Sequence, residues 1–136
     1  MKRQEVTILI VDDNDDFRQL LQSFLERQGY LTISASDGSQ ALALLTRDPP
    51  ALIILDLNMP VMDGLNTARQ IREQDQLRQV PIIFVTAHGG LGIELYGDPA
   101  ILEGGAIEYL PKPLDLQLLS DLLKRLLEQP NQIQEK

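Results

Sequence analysis

Short apolar runs alternate with amphipathic stretches along this chain, and that alternation constrains its fold more than any other feature. Five runs have the apolar or β-branched composition of strands: Val6–Val11, the more polar Tyr30–Ala35, Ala51–Asp56, Ile82–Thr86 and Ala106–Leu110. Strands that alternate with helices are joined by right-handed crossovers and form a parallel sheet that is covered on both faces. The pattern therefore predicts an α/β fold.

The segments between the strands carry helical signals. The first has one apolar stripe, made of Phe17, Leu20, Leu21, Phe24 and Leu25; Asn14, Asp15 or Asp16 caps it and Gly29 ends it. The other predicted helices run from Asp37 or Ser39 through Leu45, over Gly64–Gln74 with Leu65, Ala68 and Ile71 inward, over a short Pro99–Glu103, and over Leu116–Leu127 with Leu118, Leu119, Leu122 and Leu126 inward. Five such units predict a flavodoxin-like doubly wound sheet in strand order 2-1-3-4-5.

One segment fits this pattern poorly. His88–Gly105 contains six glycines and Pro99, and a glycine in a helix interior costs up to about 1 kcal/mol relative to alanine. We therefore expect a short or irregular fourth helix and the highest mobility of the chain between Gly89 and Gly105. We expect residues 1–128 to form one domain and residues 129–136 to form a polar C-terminal tail.

The composition excludes several kinds of site. The chain has no cysteine, so it has no disulfide, zinc-thiolate site or thiol nucleophile. Its net charge is −8, which argues against direct nucleic acid binding through a basic face. No run reaches the roughly 18 apolar residues of a membrane span, and the N-terminus does not resemble a signal peptide. We expect a cytoplasmic protein with no membrane insertion.

Two of the predicted strands end at acidic residues. Asp12 and Asp13 follow the first strand, and Asp56 ends the third. In the predicted strand order these ends are neighbours at the switch point, where such sheets bind ligands. At about 4 Å, two like charges repel by roughly 4 kcal/mol at an effective dielectric near 20. Such a cluster persists when a cation occupies it, so the sequence predicts a divalent-metal and phosphoryl site.

The residue types at this edge suit phosphoryl transfer to a carboxylate. A carboxylate can attack phosphorus, and catalysis then needs charge neutralisation and alignment. Magnesium takes one or two carboxylates plus waters and substrate oxygens, which suits Asp13 and Asp56 as direct ligands and Asp12 in an outer role. Lys112, just past the fifth strand, can meet the phosphoryl oxygens, and Thr86, at the end of the fourth strand, supplies a hydroxyl donor.

These residues stand in motifs that carry a family resemblance. From about residue 6 to residue 127, the chain resembles the receiver domains of two-component response regulators, and single-domain chemotaxis regulators in particular. The matching pieces are Val11-Asp12-Asp13-Asn14, Leu55-Asp56-Leu57-Asn58-Met59-Pro60-Val61-Met62-Asp63-Gly64, Thr86-Ala87 and Leu110-Pro111-Lys112-Pro113. Each piece alone is a weak signal, but their order, spacing and strand-end positions are specific together.

The resemblance implies a phosphoacceptor signalling function and not an ordinary enzyme. Asp56 would accept a phosphoryl group from a histidine kinase or a histidine phosphotransfer protein, and Thr86 and Lys112 would bind its oxygens. Asp12, Asp13, Asp56 and the Asn58 backbone carbonyl would organise Mg²⁺, with Mn²⁺ as an alternative.

The resemblance also implies switching and rate-tuning positions. Tyr109 would switch together with Thr86 to control an unknown downstream protein. Lys112–Pro113 would be a cis bond. Asn58 and His88, each two residues beyond a site residue, would tune the lifetime of the phosphorylated state. The span from Thr86 to Lys112 is a few residues longer than receivers usually have.

Two other functions on this kind of fold are disfavoured. A phosphatase of the haloacid dehalogenase type needs a second acid two residues after its nucleophile, where this chain has Asn58. A flavin or nucleotide site needs a loop after the first strand that is rich in glycine or hydroxyl groups, whereas Asp12 and Asp13 repel phosphate. If this is the native chain, we expect a stand-alone, single-domain regulator, with a receiver module of a longer kinase or transcription regulator as the alternative.

Overall fold

Five parallel strands hydrogen-bond side by side in the order β2-β1-β3-β4-β5. The computed structural model describes residues 6–57, 63–87 and 99–128, with residues 63, 99 and 100 described by their backbone alone. The strands are β1 (Thr7–Val11), β2 (Leu31–Ala35), β3 (Leu52–Asp56), β4 (Ile82–Thr86) and β5 (Ile107–Pro111). The predicted topology is confirmed, and the strand ends lie within one residue of their predicted places.

The register of the sheet brings the predicted site residues to one edge. Val11 lies opposite Leu55 in the pairing of β1 with β3, so Asp12 follows β1 beside Asp56. Thr86 lies opposite Pro111 in the pairing of β4 with β5, so Lys112 follows at the same edge. The carboxyl ends of β1, β3, β4 and β5 therefore lie at the same edge of the sheet as the acids.

The helices within the described residues are α1 (Asp15–Arg27), α2 (Gly38–Leu44), α3 (Asp63–Glu73), α4 (Pro99–Leu102) and α5 (Leu116–Leu123). A 3₁₀ turn, Asp75–Leu77, follows α3, and a π-helical turn, Lys124–Glu128, continues α5. Of the candidate caps, Asn14 caps α1 by accepting from the Phe17 N–H, and Asp37 caps α2 by accepting from the Gln40 N–H. The short fourth helix was predicted correctly, whereas α5 was predicted as one regular helix through Leu127 and instead changes to a π-helical turn at Lys124.

Two apolar clusters, one on each face of the sheet, form the core. α1 and α5 cover one cluster and α2 and α3 cover the other, so all five residues of β3 are buried. Leu65, Ala68 and Ile71 face inward as predicted. The predictions for Leu20 and Leu118 were wrong, because these side chains are 55% and 44% exposed. A helix that packs on a sheet buries a narrow stripe, and the neighbouring Leu21 and Leu119, which were also predicted to face inward, lie within it.

A buried arginine connects α3 to the elements that follow it. Arg72 is 2% exposed. Its guanidinium donates to the carbonyls of Leu77 at 3.0 Å, Val80 at 2.8 Å, and Ile101 and Gly105 at 3.3 Å. Burial lowers the pKa of this guanidinium. The end of α4 and the entry to β5 are therefore fastened to α3.

Part of the segment that was predicted to be mobile is thus held by hydrogen bonds. The Gly105 N–H also donates to the Arg78 carbonyl at 2.9 Å, and a Cβ on Gly105 would stand 2.2 Å from the Gln79 carbonyl oxygen. Residues 88–98 lie outside the described ranges, and mobility from 89 to 105 stays a prediction. Among the described residues, no helix combines the length and the apolar character needed to cross a membrane.

Candidate functional site

Three carboxylates meet at the carboxyl edge of the sheet, as predicted. Asp12 follows β1 and Asp56 ends β3; each is 2% exposed, while the neighbouring Asp13 is exposed. One carboxylate oxygen from each lies within 4.8 Å of the other two. Oxygen donors this close together, two of them shielded from water, suit a hard divalent cation such as Mg²⁺.

The loop that carries Asp12 and Asp13 is held by its own hydrogen bonds. The Asn14 N–H donates to Asp12 Oδ1 at 2.8 Å, and the Asp12 N–H donates to the Ala35 carbonyl at 3.1 Å. Arg18, in the first turns of α1, donates from Nη1 to the Asp12 carbonyl at 2.7 Å and from Nη2 to Asp15 at 2.5 Å. The acids are therefore presented by an ordered strand-to-helix turn.

Lys112 supplies a positive charge from the other side of the site. Its Nζ lies 3.5 Å from Asp56 Oδ2 and 3.7 Å from Asp12 Oδ2. The predicted cis bond between Lys112 and Pro113 is present. The Lys112 N–H donates to the Thr86 carbonyl at 3.0 Å, which joins the ends of β4 and β5. The ammonium group bridges two of the three carboxylates.

Thr86 and Tyr109 stand on adjacent strands. Thr86 ends β4 and is buried, one residue beyond Val85, which pairs with Asp56. Tyr109 is half-buried on β5, and its ring stacks on Phe84 with centroids 5.7 Å apart. The structure thus places Thr86 at the edge with the acids and Tyr109 within the sheet, two residues before that edge. Their switching role stays a prediction.

Gly64 allows α3 to begin close to the end of β3. A Cβ at this position would stand 2.7 Å from the Asp56 carbonyl oxygen and 3.1 Å from the Leu57 Cα. Both neighbours are backbone atoms, which cannot turn aside as a flexible side chain can. The absence of a side chain at this position is therefore needed for the close packing of α3 on the end of β3.

Some of the predicted site residues lie outside the described ranges. Asn58 was predicted as a metal ligand through its carbonyl and as a rate-tuning position, and His88 as a second rate-tuning position; residues 58–62 and 88–98 are not described. Their roles stay predictions. Two residues at the site were not singled out from the sequence, namely Phe17 and Arg18. Their place in the first turns of the helix that follows Asp12 and Asp13 was the available signal.

The electrostatics of the cluster disfavour its fully ionised, metal-free form. Burial raises the pKa of the Asp12 carboxyl above its ordinary value of 3.8, and the nearby charges of Asp56 and Asp13 raise it further. The hydrogen bond from the Asn14 N–H and the charge of Lys112 oppose this shift. Because burial and repulsion outweigh this hydrogen bond and the Lys112 charge, the single positive charge of Lys112 does not offset the negative charges of the three acids.

Asp12→Asn is therefore expected to make the metal-free protein more stable than the wild type at neutral pH. The amide can still accept from the Asn14 N–H but carries no buried charge. Because the pKa of Asp12 is raised in the folded state, the folded wild type binds a proton on Asp12 more tightly than the unfolded chain does. The stability difference between the variant and the wild type therefore shrinks as the pH falls through the raised pKa. Urea denaturation in chelator at several pH values measures the difference. A difference that grows as the pH falls contradicts this account.

Comparison with known sequences agrees with the site. The model of the response regulator receiver domain family matches residues 8–124. Response regulator PleD of Caulobacter vibrioides is 39% identical over 108 residues, which are 79% of this chain and 23% of PleD. Transcriptional regulatory protein YxdJ of Bacillus subtilis is 35% identical over 117 residues, which are 86% of this chain and 48% of YxdJ. The chain spans about half or less of the length of these relatives.

Solved structures show the same architecture. Chemotaxis protein CheY4 of Vibrio cholerae superposes with a TM-score of 0.78 at 33% identity, covering 90% of this chain and 98% of that one. The receiver domain of sensor histidine kinase PA1611 from Pseudomonas aeruginosa, solved with a magnesium ion coordinated in its active site cleft, gives 0.75 at 33% identity, covering 89% and 96%. From the family match, the strand order and the acid cluster we conclude that this chain belongs to the response regulator receiver domains.

Proposed function

We propose that this chain is a phosphoacceptor signalling domain that receives a phosphoryl group on Asp56 in a Mg²⁺-dependent reaction. The observation that carries the proposal is the surroundings of Asp56. Its carboxylate is 2% exposed, lies within 4.8 Å of Asp12 and Asp13, and has the Lys112 ammonium at 3.5 Å. A buried carboxylate among acids and one cation suits a nucleophile whose charge is neutralised during reaction and not a group that only stabilises the fold.

The donor that best fits this site is a phosphohistidine on a histidine kinase or a histidine phosphotransfer protein. An Asp56 oxygen attacks phosphorus, the phosphorus–nitrogen bond to the donor breaks, and its electron pair stays on the imidazole, which takes up a proton. The product is an aspartyl phosphate. The relatives named as a response regulator and as the receiver domain of a sensor histidine kinase support a donor of this class.

The residues around Asp56 would each have a role that is consistent with their positions. Asp12, Asp13 and Asp56, with the Asn58 carbonyl, would hold the metal, which when bound neutralises negative charge on the phosphoryl oxygens. The magnesium in the PA1611 receiver domain supports this choice of ion, and Mn²⁺ has the same preference for oxygen ligands. Lys112 would leave the carboxylates for a phosphoryl oxygen, and the Thr86 hydroxyl would donate to another.

The signal would pass from the site to a partner through β4 and β5. Thr86 belongs to β4, and Tyr109 stacks on Phe84 of that strand. A shift of Thr86 toward the phosphoryl group would therefore change the packing next to Tyr109. That change would shift the conformational population of the protein toward an active state. The downstream partner is proposed to be a protein, because a net charge of −8 disfavours direct binding of nucleic acid.

Intact-mass measurement after incubation with a small phosphodonor such as acetyl phosphate tests the proposal. With Mg²⁺ present, we expect one added phosphoryl group per chain. With chelator, we expect the adduct to fall to background, because the acids repel the incoming phosphate without a cation. Phosphate release is measured in the same samples. Many rapid turnovers per chain would indicate a phosphatase, and an adduct that is indifferent to chelator would contradict the proposed site.

A further inference from the structure

The aromatic ring of Phe17 lies beside the ammonium group of Lys112. The Lys112 Nζ is 4.9 Å from the ring centroid, within the roughly 6 Å at which a cation is attracted by the face of an aromatic ring. Two contacts hold Phe17 in place, one through its backbone and one through its side chain. The Phe17 N–H donates to the capping side chain of Asn14 at 2.9 Å, and the partly buried side chain packs against the core cluster under α1.

The contacts between the Lys112 ammonium group and the two buried acids are long. Its distances of 3.5 Å to Asp56 and 3.7 Å to Asp12 exceed the 2.7–2.9 Å or so of a charge-assisted hydrogen bond. The ammonium group is thus attracted by two carboxylates without being fixed to either. A flexible lysine stem loses conformational entropy when it is held in one place. The Phe17 ring gives the ammonium group a third contact besides the two carboxylates.

We propose that Phe17 is a positioning residue that holds the Lys112 ammonium over the gap between Asp12 and Asp56, from which it moves onto the incoming phosphoryl oxygen. This inference rests on the proposed function, since the benefit of positioning Lys112 is faster phosphoryl transfer. Phe17 itself touches neither the donor nor phosphorus and acts only through Lys112. A leucine fills similar space but lacks the negative ring face, whereas a tyrosine retains it.

The experiment compares phosphorylation rates with a small phosphodonor, which removes any effect on docking of a protein donor. Phe17→Leu is expected to lower the rate constant about threefold, the effect of losing a partly exposed cation–π contact, and Phe17→Tyr is expected to restore it. In a Lys112→Met background, Phe17→Leu is expected to change the rate no further, because the two residues act through one contact. Phe24→Leu, a residue on the same helix that packs against the same cluster, serves as the matched control for lost packing.

A second measurement does not depend on phosphorylation. The ring current of Phe17 should shift the Lys112 ε-methylene signals upfield in the NMR spectrum of the unphosphorylated protein, in the wild type and in Phe17→Tyr but not in Phe17→Leu. If these signals are unshifted in the wild type, the positioning role is overturned, whatever the phosphorylation result. It is also overturned if Phe17→Leu slows the reaction equally with and without Lys112, or if Phe24→Leu slows it as much. If the shift is present but the wild type takes up no phosphoryl group, the proposed function fails instead.

Discussion

Asp56→Asn is expected to abolish the phosphoryl adduct entirely and to raise the stability of the metal-free protein. An amide oxygen is a far poorer nucleophile toward phosphorus than a carboxylate, and no other acid in the described part of the chain is buried beside Lys112 except Asp12. The substitution also removes one of three carboxylates whose oxygens lie within 4.8 Å of one another. After allowance for the lost attraction to Lys112, a gain on the order of 1 kcal/mol is expected.

Intact mass with Mg²⁺ and phosphodonor measures the adduct, and urea denaturation in chelator measures the stability. The matched control is Asp48→Asn, which makes the same change of charge at an exposed residue four positions before β3, at the opposite edge of the sheet. It should keep the adduct and shift stability by no more than about 0.5 kcal/mol. A full adduct on Asp56→Asn would mean that another residue is the acceptor, and a clear loss of stability would mean that Asp56 has a structural role.

Arg72→Met is expected to destabilise the protein by about 3 kcal/mol or more. The substitution removes four hydrogen bonds to the backbone carbonyls of Leu77, Val80, Ile101 and Gly105. A buried acceptor that loses its partner costs about 1–3 kcal/mol, and the relief of burying a charge offsets part of the sum. Arg72→Lys should recover little, because a single ammonium group cannot reach acceptors that the planar guanidinium serves in several directions.

Thermal or urea denaturation measures this effect, with Arg69→Met as the control. Arg69 is exposed on the same helix, where it donates to the Asn66 side chain at 3.2 Å. Substitutions of exposed residues usually change stability by less than about 0.5 kcal/mol, which is the change we expect here. Hydrogen exchange should show faster exchange at Gly105 and the entry to β5 in Arg72→Met than in Arg69→Met. Equal stability of the two variants would show that the carbonyls find other partners.

The acid cluster was predictable because it depends on features that are read one strand at a time. β1 and β3 each change from apolar to acidic residues at their carboxyl ends, after Val11 and Leu55, and parallel topology then brings the strand ends together. The positions of Asp12, Asp56 and Lys112 follow from that rule. Arg72 gave no such signal, because nothing in its local sequence shows that four carbonyls from later segments will surround it.

Other features of the structure were not predictable because they depend on contacts between distant parts of the chain or on the exact rotation of a helix. A helical stripe defines the buried side of a helix only to within about one residue. Leu20 and Leu118 were therefore placed inward together with Leu21 and Leu119, although only the latter two are buried. The sequence left three candidate caps for α1, and the hydrogen bond from the Phe17 N–H to the Asn14 side chain identifies Asn14 as the cap. The contact of Phe17 with Lys112 joins residues 95 positions apart, and no local pattern predicts such a pair.

The hydrogen bond between the Lys112 N–H and the Thr86 carbonyl has a consequence for how fast a signal can spread. The two residues proposed to meet the phosphoryl oxygens are not independent responders, because their backbones are joined at 3.0 Å. Movement of either one strains the same bond, so both should rearrange in a single kinetic phase. Spectroscopic probes placed near the ends of β4 and β5 would then report one common time constant.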